Sequence, residues 1–295
     1  MKRLLLAIAA LAGACASAPA QQPAPGTAIQ LGVTYRLESQ VLGERREINV
    51  WTPPGYAAGD ARYTVLYLID GGVDQDFPHI AGLGQLGAVS GTYEELIVVG
   101  VRTNTRIHEL TPAPADSRYT RAFPQAGGSE QFRRYLREDV IPFIEARYRT
   151  GARRGVIGES LAGLFVVDTY LDEPALFDDY IAVSPSLWWD DRTLARRAAE
   201  LFAAQEASGR RMYLSIAQED GTMRDGVDTA RAALASAPEK LAFRFADRTG
   251  ETHATTFHPA ALDALRWLYA TAPIDYGPRP WWMTEGAAPP QENSQ

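Results

Sequence analysis

Apolar positions along the chain alternate between two kinds of run. Residues 63–69 form a continuous apolar stretch rich in β-formers, closed by Asp70, Gly71 and Gly72. An unbroken run of that length, bounded by turn residues, predicts a strand buried on both faces. Residues 95–101 repeat the pattern, and 155–158, 180–183, 212–217 and 241–245 are shorter versions of it. Residues 31–37 and 48–52 read as early, half-exposed strands. Between the later strands the apolar spacing changes to three and four. Over 129–147, Phe132, Tyr135, Leu136, Val140, Ile141, Phe143 and Ile144 make a helical stripe, and Pro142 predicts a kink or a restart within it. Further helices are expected over 161–171, 194–203, 223–234 and 260–268. Strands and helices that alternate in this way build a mostly parallel central sheet with helices on both faces, an α/β fold. Ligands in such sheets lie beyond the carboxyl ends of the strands.

The two ends of the chain follow neither pattern. Lys2 and Arg3 precede an apolar segment, 4–14, that is too short to span a bilayer, and Ala18, Pro19 and Ala20 before Gln21 read as a cleavage site. Residues 1–20 are therefore expected to be an export signal, with the periplasm as destination. In an alternative reading, Ala12, Gly13, Ala14 and Cys15 form a loose lipobox and Cys15 carries a lipid anchor. Residues 21–27 are a short tether, 28–272 one domain, and 273–295 a tail rich in Pro and polar residues. No later segment has the roughly 18 uninterrupted apolar residues that a membrane span requires.

Composition narrows the classes. The 295 residues are 46% hydrophobic and 22% charged, enough to bury a large core without disulfides or metals. Cys15 is the single cysteine, so no thiol chemistry is expected once the signal is removed. The formal charge is -7, from 29 basic and 36 acidic residues with no basic block, which argues against a nucleic-acid partner. There are four histidines and no zinc-protease ligand motif, so neither a metal nor any other cofactor is expected.

The most informative stretch is Gly158, Glu159, Ser160, Leu161, Ala162, Gly163, which joins a predicted strand to a predicted helix. A nucleophile elbow requires this context: a serine on a sharp strand-to-helix turn, flanked by small residues where strand and helix pass close together. The competing role for Ser160 is a plain helix N-cap. A seryl hydroxyl is a weak nucleophile and needs a base and an oxyanion hole. Leu161 N–H, at the helix start, is one expected donor. Gly72 N–H, after the strand 63–69, is the other. In hydrolases of this type the order is nucleophile, acid, histidine. That order leaves His253 and His258 as bases, and His253 lies in the expected loop, between the strand 241–245 and the last helix. The acid should follow the strand 212–217, where Glu219 and Asp220 stand side by side, with Asp225 further on. Trp188 and Trp189 fall in the loop beside the elbow and are expected to wall an aromatic pocket, or else to divide between core and surface. Arg102 and Arg106 follow the strand 95–101. They are expected either to meet an anionic substrate or to pair with carboxylates such as Glu109. His79 and His108 are further candidates for lining the site.

Several of these stretches together resemble the esterase D-related branch of the α/β-hydrolases, which includes the enterochelin esterase-like siderophore esterases. They are YLIDG at 67–71, IPFIEARYR at 141–149, GESLAGL at 158–164, SPSLWWD at 184–190 and ETH at 251–253. The resemblance spans about residues 30–270. It implies an α/β-hydrolase fold, His253 as the histidine of the E-x-H segment, Glu219 as the acid, and an Arg-rich substrate loop around Arg106. The elbow departs from the family's usual Gly-His-Ser-Leu-Gly-Gly, with Glu159 and Ala162 replacing His and Gly. Glu159 beside the serine is thereby placed to alter local titration and substrate charge preference. The expected function is an exported serine esterase acting on a small-molecule ester of a siderophore, a polysaccharide or a xenobiotic. An acyltransferase or a non-catalytic binding protein on the same fold is the alternative.

Overall fold

The computed structural model describes residues 26–206, 209–273, 277, 279 and 283, and the chain divides into two units, Met1–Gln30 and Leu31–Gln295. The expected signal, Cys15, most of the tether and nearly all of the tail lie outside the described residues. In the first unit residues 26–30 are exposed and have no regular structure.

The second unit is built on an eight-stranded sheet: β1 (Val33–Glu38), β2 (Arg45–Trp51), β3 (Tyr63–Ile69), β4 (Leu96–Val101), β5 (Thr150–Glu159), β6 (Asp179–Val183), β7 (Arg210–Ala217) and β8 (Leu241–Arg248), in the spatial order β1-β2-β4-β3-β5-β6-β7-β8. β1 and β2 pair antiparallel, as do β2 and β4, and every later pairing is parallel. This is the α/β-hydrolase architecture. Side chains alternate between two cores. Val65, Tyr67 and Ile69 of β3 face one, and Leu66 and Leu68 face the other. α1 (Phe77–Ser90) and α9 (Phe257–Leu268) cover the second core. The first is covered chiefly by α4 (Ser129–Tyr135), α5 (Ile141–Glu145), α6 (Leu161–Asp172), α7 (Trp189–Ala204) and α8 (Gly221–Leu234). Among the described residues no helix is long and apolar enough to cross a membrane.

The differences from expectation have local causes. β2 is buried rather than half-exposed, because it lies inside the sheet between β1 and β4. Pro142 lies in the first turn of a restarted α-helix, as one of the two expected outcomes had it. A π-helical turn over Leu136–Val140 joins α4 to α5, with Ile141 N–H donating to the Leu136 carbonyl. The wider turn accommodates a residue that has no N–H to give. α1 does not announce itself in the sequence, since Gly82, Gly84 and Gly87 break its apolar stripe. Two of these glycines serve distant contacts. A Cβ on Gly84 would lie 2.8 Å from the Trp51 ring, and one on Gly87 would overlap Tyr93. The short helices α2 (Arg106–Leu110) and α3 (Ser117–Ala122) lie in the long connection after β4 and were likewise not expected.

Candidate active site

Ser160 stands between the end of β5 and the first turn of α6, at φ 59 and ψ -118. A non-glycine residue in that region carries about 1–3 kcal/mol of strain, which the surrounding structure must hold. Here the close crossing of strand and helix holds it. A Cβ on Gly158 would come within 2.6 Å of the Ala162 backbone, and one on Gly163 within 3.0 Å of Pro185 and Val183. The backbone of Ser160 is fixed to β6 and the loop after it, by Ser160 N–H to the Val183 carbonyl (3.0 Å) and Ser186 N–H to the Ser160 carbonyl (2.9 Å). The hydroxyl makes no capping bond to α6, so Ser160 is not a plain N-cap. Its Oγ lies 3.2 Å from Ser186 Oγ.

His253 and Glu219 arrive on neighbouring loops. Gln218 N–H donates to the Glu251 carbonyl (2.8 Å), strapping the loop after β7 to the loop after β8. Glu219 Oε1 is then hydrogen-bonded to His253 Nδ1. The pairing raises the His253 pKa above its ordinary 6.5, with Glu159 adding to the rise and burial and Arg106 opposing it. Of the other candidates, Asp220 is the N-cap position of α8, Asp225 pairs with Arg192 (3.0 Å), and His258 packs beside His79 with ring centroids 5.6 Å apart. His79 is pushed down to about 4 by burial and by His258. His108 stands apart, its Nδ1 2.7 Å from the Gln125 carbonyl oxygen.

Gly72 N–H is engaged by Gln75 Oε1 at 2.9 Å. The Gln75 amide is anchored in turn by Nε2 donating to the Thr103 carbonyl (3.2 Å) and Oγ1 (3.0 Å). Gln75 was not among the expected residues, and its only sequence signal is its place just after the Gly71-Gly72 turn.

The two tryptophans divide between core and surface, the second of the two expected arrangements. Trp189 packs into the core. It is 2% exposed, and its Nε1–H donates to the Pro112 carbonyl (3.0 Å). Trp188 remains partly exposed, packed on Trp189 and Tyr119 at centroid distances of 5.9 and 6.3 Å. Tyr119 sits on the unexpected α3, and its hydroxyl donates to the Trp188 carbonyl (3.2 Å). Arg106 does not pair with Glu109, which is buried against Arg46 (2.7 Å). Its Nε donates to Asp70 Oδ2 (2.6 Å) and its Nη2 to the Glu159 carbonyl (3.3 Å). Arg106 thus joins the end of β3 to the end of β5, the strand that leads into the serine turn, and already carries a carboxylate. Arg102 pairs with Asp74.

Two carboxyls here stand out. Burial pushes Glu159 up to about 7, with Asp76 and Glu219 adding to the rise and His253 and Arg106 opposing it. Burial, then Asp70, pushes Asp76 up to about 6. Shifted carboxyls, a strained serine and a paired histidine are features that acyl-transfer sites use, although the hydrogen-bond partner of Ser160 Oγ here is Ser186 Oγ and not His253.

The chain is similar to known proteins over most of its length. Residues 39–267 match the profile of the family described as "Putative esterase". The chain is 27% identical over 259 residues to the ferri-bacillibactin esterase of Bacillus subtilis, covering 80% of this chain and 89% of that one. It is 32% identical over 197 residues to the apo-salmochelin esterase of Escherichia coli, covering 62% of this chain and 60% of that one. Among solved structures, an IroE-like serine hydrolase from Shewanella oneidensis superposes with a TM-score of 0.71 at 26% identity, over 81% of this chain and 80% of that one.

Proposed function

The chain belongs to this esterase family, a family of carboxylic ester hydrolases, and on that premise we propose that it is an exported serine esterase of siderophore-type esters, with Ser160 as nucleophile. The observation that carries the reading is Ser160 itself, held at φ 59 between β5 and α6 with no capping role. His253 takes the seryl proton as Ser160 Oγ attacks the ester carbonyl, and Glu219 holds the imidazole by Nδ1 and stabilises its charged form. Leu161 N–H and Gly72 N–H receive the oxyanion. Leu161 is the first residue of α6, where backbone N–H groups have no intrahelical acceptor. At Gly72 the Gln75 side-chain carbonyl holds the place that the ester oxygen takes over. His253 then protonates the leaving alcohol, and water attacks the acyl-enzyme by the same route in reverse. Trp188 and Tyr119 present an aromatic surface suited to an aryl ring. Residues 28–272 carry this activity, and residues 1–20 direct export to the periplasm.

The test is turnover of p-nitrophenyl acetate, butyrate and octanoate by the protein beside Ser160→Ala and His253→Ala. Each substitution is expected to remove about 10⁴-fold or more of kcat/KM while the urea midpoint stays in place. A Ser160→Ala protein within tenfold of wild type would overturn the assignment.

A further inference from the structure

Glu159 is the last residue of β5, adjacent in sequence to Ser160. Its Oε1 is buried without a hydrogen-bond partner. The nearby guanidinium does not neutralise it. Arg106 spends its Nε on Asp70, and its Nη2 reaches the backbone carbonyl of Glu159, not the carboxyl. Asp70 is further held by Thr103 Oγ1, which keeps that ion pair in place. The charged groups that act on the Glu159 carboxyl come from four other elements: Asp76 before α1, Arg106 of α2, Glu219 after β7 and His253 after β8. With Arg106 committed to Asp70 and His253 to Glu219, Glu159 Oε1 is left without a donor, one residue before the proposed nucleophile.

We propose that Glu159 is a specificity-determining residue that sets the charge class of the ester. Esters bearing an N–H, O–H or ammonium group near the scissile bond are accepted over esters bearing a carboxylate there. The inference rests on the esterase reading above and narrows its substrate class. The side chain as a whole is only partly buried, so a substrate donor that reaches it offsets part of the cost of holding a charge there. A substrate carboxylate bound at the serine instead adds a second negative charge near this partly buried one. Because burial pushes Glu159 up to about 7, the selection depends on pH. Below that value the carboxyl is neutral and tolerates anionic esters, and above it the anion is rejected. Asp76, pushed up to about 6, changes charge lower in the range and with the same sign. His253 must be neutral for every ester, so its titration cancels in a ratio of two substrates.

The experiment follows kcat/KM for p-nitrophenyl butyrate and for the p-nitrophenyl half-ester of succinate, from pH 6 to 8, in wild type, Glu159→Gln and Asp76→Asn. The half-ester stays anionic throughout. The wild-type ratio of neutral to anionic ester is expected to climb about tenfold across that range. In Glu159→Gln it should stay flat within about twofold, with a gain on the half-ester at pH 8, while Asp76→Asn keeps most of the climb. A flat wild-type ratio, which needs no variant to fold, overturns the proposal. So does a climb that survives in Glu159→Gln. Failure of the esterase reading looks different, since butyrate turnover would then persist in Ser160→Ala.

Discussion

Charged side chains gather at both ends of the parallel sheet, and the two ends treat them in opposite ways. At the amino end Asp179, the fully buried first residue of β6, has both carboxylate oxygens engaged. Arg153 Nη2 donates at 2.6 Å, and Arg211 Nε and Nη2 donate at 2.7 and 3.0 Å. Asp178 beside it accepts from Arg210 Nη1 (2.7 Å) and from Arg154 N–H (2.9 Å). At the carboxyl end Glu159 Oε1, Glu219 Oε2 and His79 Nε2 are buried with no hydrogen-bond partner, and Asp70, Ser160 and Ser184 have positive φ. Matched charge at one end ties β5, β6 and β7 together. Strained residues and unsatisfied polar atoms at the other end cost stability, as groups at functional sites often do.

Breaking the amino end should give the largest loss of stability. Asp179→Ala leaves two guanidinium groups facing an emptied site and is expected to cost about 3–5 kcal/mol by urea unfolding, with turnover per folded molecule unchanged. A loss below about 1 kcal/mol would mean that the pair adds little to holding the strands.

At the other end, Glu219→Gln should lower kcat/KM by about 10²-fold. It should also move the acid limb of the pH profile. The proposed base, His253, must be neutral to accept a proton, and Glu219 raises the pH below which that imidazole becomes charged. With Gln the limb shifts to lower pH, and an unmoved limb would detach Glu219 from the base.

The smallest effect has the opposite sign to the first. Glu159 has its carboxyl pushed up to about 7 in the folded protein, against 4.5 ordinarily. Both states are protonated at pH 4, so burial costs nothing there. The cost grows as pH rises between the two values and is complete above the higher one. Glu159→Gln is therefore expected to stabilise the protein by about 1 kcal/mol at pH 8, discounted for partial exposure, and not at pH 4. Equal midpoints at pH 8 would place this carboxylate among the satisfied groups of the amino end.

Much of this molecule can be read along the chain. The run 63–69 is β3 residue for residue, 95–101 is β4 to within one residue, and 161–171 is α6 to within one. The serine turn shows itself through Gly158, Ala162 and Gly163, since small residues are needed where backbones nearly touch. α1 does not show itself, because its glycines answer to Trp51 and Tyr93 across the fold rather than to its own periodicity. Glu219 and Asp220 are neighbours with similar chemistry, and the strap from Gln218 to Glu251 turns the former toward His253. Trp188 and Trp189 are identical residues that the Pro112 carbonyl and α3 send to different environments.

By itself, then, the sequence determined the alternation of buried strands and amphipathic helices, the elbow and the order of its candidate partners. Each of these depends on backbone geometry and burial over a few consecutive residues. Only the tertiary structure decided which carboxylate meets which cation: Arg106 with Asp70 rather than Glu109, Arg46 with Glu109, and Glu159 with no partner for its Oε1. Electrostatic pairing depends on separation in space and on local burial, and residues 36 or 63 positions apart carry no trace of either in their order along the chain.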